Sequence, residues 1–355
     1  MPRYYELTSS PQDGQARFNH RQDLLRRIET KTHRPLIVYA ANIGSTANIP
    51  NTLDFSDITP FSDLTRTITG DAIDVLLHSP GGLAEAAERI VDLLRARFKS
   101  VHFIIPHSAF SAATMLAMSA DELVLDDTSA LGPIDPQLVV RDPQTGQTTV
   151  VPTQAILDGF ENAKGDIKAD PDVLGVYLPL LNKLDLAIFE ICKNTNKLAK
   201  SLVTEWLKRY LLKLEADPAA RASEIADYLS THKDRLSHGR PITLRVVKDE
   251  LKIKSILDLK DDPELRELVG ELWGEIEWFI DASGTAKFFE NAHGVNFRRA
   301  FQIIQQQIGF LPVPMPQPAP QPATRPQPDT PEPSVPPAPA NPGPSRLPKI
   351  PRAKI

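Results

Sequence analysis

Four short runs of apolar and β-branched residues alternate with helical sequence patterns between residues 35 and 126. The runs are too short for buried helices and are typical of strands that are covered on both faces. Between the second and third runs, residues 83–98 place apolar side chains on one helical face and charged side chains on the other. Strands joined through such helices pair in parallel with right-handed crossovers, which predicts an α/β fold. The predicted strands are residues 36–40, 73–78, 101–105 and 122–125.

The composition favours a globular protein and argues against several classes of function. Hydrophobic residues make up 41% and charged residues 24% of the 355 residues, enough to bury a sizeable core. The net charge is −5 and Lys and Arg are scattered, so no nucleic-acid partner is expected. The single cysteine, Cys192, excludes an intrachain disulfide and any metal site made of several cysteines. The sequence has no phosphate-binding Gly-x-x-x-x-Gly-Lys-Ser/Thr loop, and we expect neither a metal nor a cofactor.

The sequence contains no segment typical of membrane insertion or export. No window approaches the roughly 18 uninterrupted apolar residues that a transmembrane helix needs, and the first residues lack a basic region followed by an apolar run. A cytoplasmic location is therefore predicted, and peripheral membrane contact stays open.

Composition and pattern divide the chain into four predicted segments. Residues 1–34 are an N-terminal extension, residues 35–255 an α/β domain and residues 256–311 a mostly helical region. Prolines concentrate in residues 312–355 with few apolar residues between them, which predicts a disordered tail. The basic, weakly apolar end of the tail is interpreted as solvated, and a tail-binding partner is left open.

A first motif, His78-Ser79-Pro80-Gly81-Gly82, lies where the second predicted strand meets the following helix. A proline followed by two glycines allows a sharp turn with no Cβ in the way, so backbone N–H groups at the helix start can point at an anion. Such a turn either forms an oxyanion hole or serves as a plain strand-to-helix connection.

A second motif surrounds Ser111, which follows the third predicted strand and precedes a short apolar helix. A serine there is either a helix N-cap or a nucleophile beside N–H groups that stabilise a developing oxyanion. The glycine pair and Ser111 are about thirty residues apart and follow successive parallel strands, so both are expected at the same edge of the sheet. Open α/β sheets bind ligands at that edge, which favours a catalytic serine.

The two motifs, followed by the runs 120–125 and 130–137, resemble the serine dehydrogenase proteinase family. That family is related to signal peptide peptidase A and to the proteolytic subunit of the Clp protease. The resemblance is strongest over residues 70–140. It implies that residues 35–255 form a Clp/crotonase-like ββα spiral with serine peptidase activity, assembled into a homo-oligomer that cleaves a peptide or protein substrate.

The resemblance also implies roles for individual residues. Ser111 is expected to attack the scissile carbonyl, and the N–H groups of Gly81, Gly82 and Ala112 to hold the oxyanion. The family usually has two glycines after its serine, whereas this chain has Ala112 and Ala113, whose methyl groups are expected to narrow the hole.

The general base has three candidates. Clp subunits use a histidine about 25 residues after the serine, where this chain has Pro136, so a lysine is expected, as in the signal peptide peptidase branch. Lys183 ranks first because it lies in an apolar stretch, where burial lowers a lysine pKa. A lysine that covers apolar surface and pairs with Asp185 is the competing interpretation. Lys164, in a polar stretch, ranks second, and His238, far along the chain, ranks third.

Two other functions stay open. An acyl-CoA enzyme of the crotonase type would use the same oxyanion hole on a thioester, although a serine at the helix start is not typical of it. A catalytically inactive oligomeric scaffold that presents the proline-rich tail is favoured by the alanine pair after Ser111.

Overall fold

A computed structural model describes residues 14–45, 49–141, 146–181, 186–230 and 240–301. In chain order its strands are β1 (Leu36–Ala41), β2 (Ala72–His78), β3 (Ser100–Ile105), β4 (Ser108–Ala109), β5 (Glu122–Leu125), β6 (Ala130–Leu131), β7 (Gln137–Arg141), β8 (Thr148–Pro152), β9 (Ile242–Thr243), β10 (Ile256–Asp258), β11 (Thr285–Asn291) and β12 (Asn296–Ala300). Its helices are α1 (Gly14–Thr32), α2 (Ile58–Arg66), α3 (Ala84–Arg97), α4 (Ala112–Met118), α5 (Thr153–Ala169), α6 (Leu174–Leu181), α7 (Leu186–Trp206), α8 (Pro218–Ser230) and α9 (Pro263–Ser283).

The central element is a seven-stranded sheet with the order β10-β5-β3-β2-β1-β11-β12. Neighbouring strands from β10 to β1 are parallel, whereas β11 pairs antiparallel with β1, and β12 with β11. The four predicted strands are β1, β2, β3 and β5, and the helix predicted after the second strand is α3. The predicted α/β class is thus confirmed. These strands are buried along nearly their whole length, which explains their continuous apolar runs.

A second, smaller sheet contains the short strands that follow β3 and β5, so the chain alternates between the two sheets as in a spiral. β4 and β6 directly follow β3 and β5 along the chain and pair in parallel with each other, within a three-stranded sheet that β9 completes. β3, β4 and α4 therefore form one ββα unit, and β5 with β6 repeats its strand pattern. This arrangement is the one that the Clp/crotonase-like fold class predicts.

Helices cover both faces of the central sheet. Because side chains alternate along a strand, Ile37 and Tyr39 of β1 belong to one core, and Leu36 and Val38 to the other. Apolar residues of α3, α4, α7 and α8 complete the first core, and those of α1 and α9 complete the second. The segment predicted as an N-terminal extension thus contributes a packed helix.

α9 begins with a capping aspartate and a proline. The Asp262 side chain accepts the N–H of Leu265 at 3.1 Å, and Pro263 occupies the first turn. The helix ends at Gly284, whose left-handed conformation (φ 61°) is favourable for glycine. This turn leads directly into β11.

The region 256–311, predicted to be mostly helical, contributes the strands β10, β11 and β12 in addition to α9. All seven residues of β11 are buried, including the charged Lys287 and Glu290, so this strand lacks the alternation that identifies a strand in a sequence. The central sheet therefore combines strands from both sides of residue 255.

The predicted tail, residues 312–355, lies outside the described residues. Across the helices that the structure does describe, none is long and apolar enough to cross a membrane.

Candidate active site

The two sequence motifs meet at one edge of the central sheet. β2 leads into the Gly81-Gly82 turn before α3, and β4 leads into Ser111 before α4. The Ser79 N–H donates to the Ser108 carbonyl at 3.0 Å, which joins the two connections directly. The structure therefore brings together the motifs that the sequence predicts to be neighbours.

Ser111 has an unusual backbone conformation. Its φ of 50° and ψ of −120° are rare for a residue with a side chain, and the residue is partly exposed. Although Ser111 immediately precedes α4, its side chain makes no capping hydrogen bond. Strain of this kind costs about 1–3 kcal/mol and persists where the surrounding structure enforces it, often at functional sites. The N-cap interpretation of Ser111 therefore does not account for this residue.

Both glycines of the first motif allow close approaches of the backbone. A Cβ on Gly81 would lie 2.3 Å from the Phe110 carbonyl oxygen and 2.7 Å from Ser111 Cβ. A Cβ on Gly82 would lie 2.1 Å from the Leu53 carbonyl oxygen. Side chains do not fit at either position, so the glycine pair brings the turn into contact with the serine.

The N–H groups of the two turns have different partners. The Gly81 N–H donates to Ser79 Oγ at 3.1 Å, and the Gly81 carbonyl accepts the Leu53 N–H at 2.7 Å. Within the described ranges, no acceptor contacts the N–H of Gly82 or Ala112. Ala112 is the first residue of α4, where an N–H has no acceptor within the helix. Of the three predicted oxyanion donors, Gly82 and Ala112 thus have available N–H groups, and that of Gly81 is engaged.

The alanine pair after Ser111 packs into the core. Ala112 and Ala113 are 1% and 0% exposed, so their methyl groups fill space between the sheet and the helices. Thr114 then ties α4 to the smaller sheet, because its hydroxyl donates to the Ala109 carbonyl at 2.7 Å and accepts the Gly132 N–H at 2.9 Å.

His78 is a buried histidine beside the serine turn. Its Nδ1 accepts the Ser108 N–H at 3.2 Å, and its ring packs against Trp273 with 4.3 Å between the centroids. Burial, with a smaller contribution from His107, lowers the pKa of His78 to about 3. In the neutral form Nδ1 is the acceptor, so Nε2 carries the proton. His78 is therefore unsuited to accept a proton from Ser111.

Two further features bear on ligand binding. A cavity of about 560 Å³ opens beside α9, with His107, Asp126, Arg266 and Trp273 among its lining residues. Arg266 pairs with Asp126 at 2.9 Å, so its charge is compensated. Among the side chains that the structure describes, no group of three His, Cys, Asp or Glu is placed to hold a metal ion.

Comparison with known proteins assigns the chain to a family. A sequence model of the ClpP-like SDH-type serine proteinases matches residues 4–269. The chain belongs to this family. Two uncharacterized proteins of Methanocaldococcus jannaschii are 30% and 29% identical to it over 177 residues. The match covers 50% of this chain and 51% and 50% of theirs, so the chain spans about half the length of these curated relatives.

Solved structures similar to this member of the family include two kinds of protease. A mutant of the 1510-N membrane-bound stomatin-specific protease is 16% identical, with a TM-score of 0.34, over 61% of this chain and 79% of that one. ClpP1 from Listeria monocytogenes is 12% identical, with a TM-score of 0.34, over 66% of this chain and 96% of that one.

Of the three candidates that the sequence offers for a general base, the structure describes one. Lys164, on α5, has a side chain that is 66% exposed, and its Nζ lies 3.1 Å from a Glu161 carboxylate oxygen. Lys164 thus lacks the burial that a lysine base needs. Lys183 and His238 lie outside the described residues. The identity of the base stays a prediction.

A buried chain of polar side chains, to which the sequence pattern gives no role, ends at the glycine turn. Lys287, Asp57, Tyr39 and Ser79 form this chain, and Ser79 holds the Gly81 N–H. The sequence gives no clear signal for it, because β11 reads TAKFFEN and only the structure shows that Lys287 is buried and needs a partner.

Proposed function

We propose that the protein is a serine endopeptidase that hydrolyses peptide bonds through Ser111. The observation that carries this proposal is the strained, uncapped Ser111 against Gly81, beside the available N–H groups of Gly82 and Ala112. Membership of the SDH-type serine proteinase family supports it. A nucleophile on a strained turn beside backbone N–H donors recurs in enzymes that transfer acyl groups.

In the proposed mechanism, Ser111 Oγ attacks the carbonyl carbon of the scissile bond while the base takes the hydroxyl proton. The oxyanion of the tetrahedral intermediate accepts hydrogen bonds from the Gly82 and Ala112 N–H groups. The C–N bond then breaks, the base gives its proton to the leaving amine, and an acyl ester remains on Ser111. Water attacks this ester with the same proton transfers, which releases the carboxylic product and restores the serine.

We assign the base to Lys183, with Lys164 and His238 as alternatives. A lysine must be neutral before it can take the serine proton, and burial favours the neutral form. Lys183 lies in an apolar stretch of the sequence, whereas Lys164 is exposed and paired with Glu161. These facts support Lys183 over Lys164.

Labelling with a fluorophosphonate probe tests the proposal. The wild type should be labelled on Ser111, Ser111→Ala should not be labelled, and Lys183→Ala should be labelled at least about 100-fold more slowly. The matched control Ser119→Ala changes a buried serine at the other end of α4, and its labelling should match the wild type. Lys164→Ala should also label normally.

Two results would change these assignments. Normal labelling of Lys183→Ala with loss in His238→Ala would move the base to His238. A folded wild type that is neither labelled nor able to cleave a peptide library would favour the inactive scaffold. Homo-oligomer formation, a partner for the tail and a cytoplasmic location remain proposals from the sequence and the family.

A further inference from the structure

We propose that a buried chain of polar side chains from Lys287 to the glycine turn positions the oxyanion donor. This chain, here called the Lys287 relay, comprises Lys287, Asp57, Tyr39 and Ser79 and ends at the Gly81 N–H. The inference rests on the proposed function, because it assigns the relay to the turn that would hold the oxyanion.

The relay begins at a fully buried ion pair. The side chains of Lys287 and Asp57 are 1% and 0% exposed, and Lys287 Nζ lies 2.9 Å from each Asp57 carboxylate oxygen. A well-packed apolar pair in such a place is often at least as stable as a buried ion pair. Stability alone therefore does not explain why this strand carries a lysine.

The polar groups of the relay follow one another from Asp57 to Gly81. The Tyr39 hydroxyl donates to Asp57 Oδ2 at 3.3 Å, and the Ser79 side chain is a neighbouring polar group that acts on the pKa of this hydroxyl. The Gly81 N–H donates to Ser79 Oγ at 3.1 Å. An ionised carboxylate only accepts, so Tyr39 uses its proton for Asp57 and offers only its oxygen to the neighbouring Ser79, whose Oγ accepts the Gly81 N–H.

The Tyr39 side chain is held in place, and its hydroxyl stays protonated. It is fully buried, and its ring packs between Phe61 and Phe289 with centroid distances of 5.2 and 5.0 Å. Burial and the nearby Asp57 carboxylate raise the pKa of the Tyr39 hydroxyl well above its usual range. Tyr39 therefore keeps its proton and remains a donor to Asp57.

The relay fixes the peptide unit between the two glycines. Ser79 holds the Gly81 N–H, and the Leu53 N–H holds the Gly81 carbonyl at 2.7 Å. The Gly81 carbonyl and the Gly82 N–H belong to one planar trans peptide unit, so they point in opposite directions. Fixing the carbonyl thus also fixes the N–H of Gly82, the proposed oxyanion donor.

A second arm of the relay reaches the same turn through Leu53. The Asp54 N–H donates to Asp57 Oδ2 at 3.0 Å, and the Asp54 carboxylate lies 2.9 Å from Lys287 Nζ. Leu53, the preceding residue, forms a β-bridge with Gly82. Both arms that hold the glycine turn therefore start at the pair of Lys287 and Asp57.

Lys287 comes from a strand beyond the part of the chain that the family model matches. The match ends at residue 269, whereas β11 begins at Thr285 and places Lys287 opposite Ala41 of β1. The relay therefore assigns a catalytic positioning role to the segment that follows the matched region.

Two variants that each remove one hydroxyl group test the relay. Ser79→Ala and Tyr39→Phe should lower the maximal rate of fluorophosphonate labelling about tenfold, with an unchanged half-saturating probe concentration, because a misplaced donor weakens only the transition state. The controls Ser119→Ala and Tyr228→Phe remove hydroxyl groups that bond to Leu116 and Glu250, outside the relay, and should keep the wild-type rate.

Hydrogen exchange gives a readout that does not depend on activity. In the full-length Ser111→Ala protein, adding Ser79→Ala or Tyr39→Phe should accelerate amide exchange in the peptide that contains Gly81. Asp57→Asn combined with Lys287→Met removes both buried charges together and should have the same effect.

The outcomes separate this inference from the proposed function. If the wild type is labelled on Ser111 and both hydroxyl variants keep its rate, the relay has no positioning role and the peptidase proposal stands. If the wild type is not labelled, the peptidase proposal fails, and exchange alone decides about the relay. Faster exchange at Gly81 in Tyr39→Phe then supports the relay, and wild-type exchange overturns it.

Discussion

Gly81 and the serine turn are in direct contact. A methyl group at Gly81 would meet the Phe110 carbonyl oxygen at 2.3 Å, Ser111 Cβ at 2.7 Å and the Ala112 nitrogen at 2.9 Å. Its φ of 91° is also unfavourable for a residue with a side chain. The backbone of the strained Ser111 turn can therefore lie this close to position 81 only because Gly81 has no side chain.

We expect Gly81→Ala to destabilise the protein by at least about 2 kcal/mol, because the new methyl group overlaps backbone atoms that cannot move freely. Urea denaturation measures this change. Gly165→Ala on α5 is the matched control: nothing lies within 4 Å of its added Cβ, and alanine should stabilise the helix by about 0.5–1 kcal/mol. Equal stability of Gly81→Ala and the wild type would contradict the close approach.

At the scale of elements, β2 and α9 meet at His78. The strand carries the glycine turn at its end, and the helix covers the sheet face to which the His78 ring points. The ring packs on Trp273 of α9, and its Nδ1 accepts the Ser108 N–H. Protonation of His78 would place a charge in this contact and remove the acceptor.

The unfolding free energy should therefore depend on pH through His78. Its pKa is about 3 in the folded protein, below the ordinary 6.5, so only the unfolded chain binds this proton as the pH falls below 6.5. The contribution to stability is complete above pH 6.5 and decreases toward pH 3, by at most about 1.4 kcal/mol per pH unit.

Urea denaturation at a series of pH values below 6.5 measures this slope. In His78→Gln the amide oxygen can still accept the Ser108 N–H but does not titrate, so the decline should be weaker than in the wild type. Identical slopes for the two proteins would contradict a buried, neutral His78.

At the scale of the whole molecule, the β7–β8 hairpin exposes apolar side chains. Val139 and Val150 lie opposite each other in the pair and are 69% and 57% exposed. Large apolar residues grouped on a surface mark interaction sites more often than isolated ones do. The hairpin is therefore a candidate contact between copies of the chain.

We expect the wild type to form a homo-oligomer and Val139→Lys to shift it toward smaller species, because a charge in an apolar contact is unfavourable. Analytical ultracentrifugation measures the distribution. Thr149→Lys adds the same charge on the opposite face of the hairpin and should leave the assembly unchanged. A monomeric wild type, or equal effects of the two variants, would contradict the proposed contact.

Much of the framework follows from the sequence alone. The runs that became β1, β2, β3 and β5 are apolar because both faces of the sheet are covered, and the pattern of α3 follows from one buried face. The glycine turn and Ser111 could be identified because each motif needs particular residue types at adjacent positions. Their meeting could be predicted because parallel strands end at the same edge of a sheet.

What the sequence could not determine depends on contacts between distant residues. Lys287 and Asp57 are 230 positions apart, and each taken alone is a residue type that usually lies at the surface. Burial and pairing turn them into one end of a chain that reaches Gly81. The tertiary structure likewise decided that the Gly81 N–H is engaged while those of Gly82 and Ala112 are available. Local sequence patterns specify which helices and strands form. The hydrogen-bond and ion-pair partners of individual residues are determined only when these helices and strands pack together.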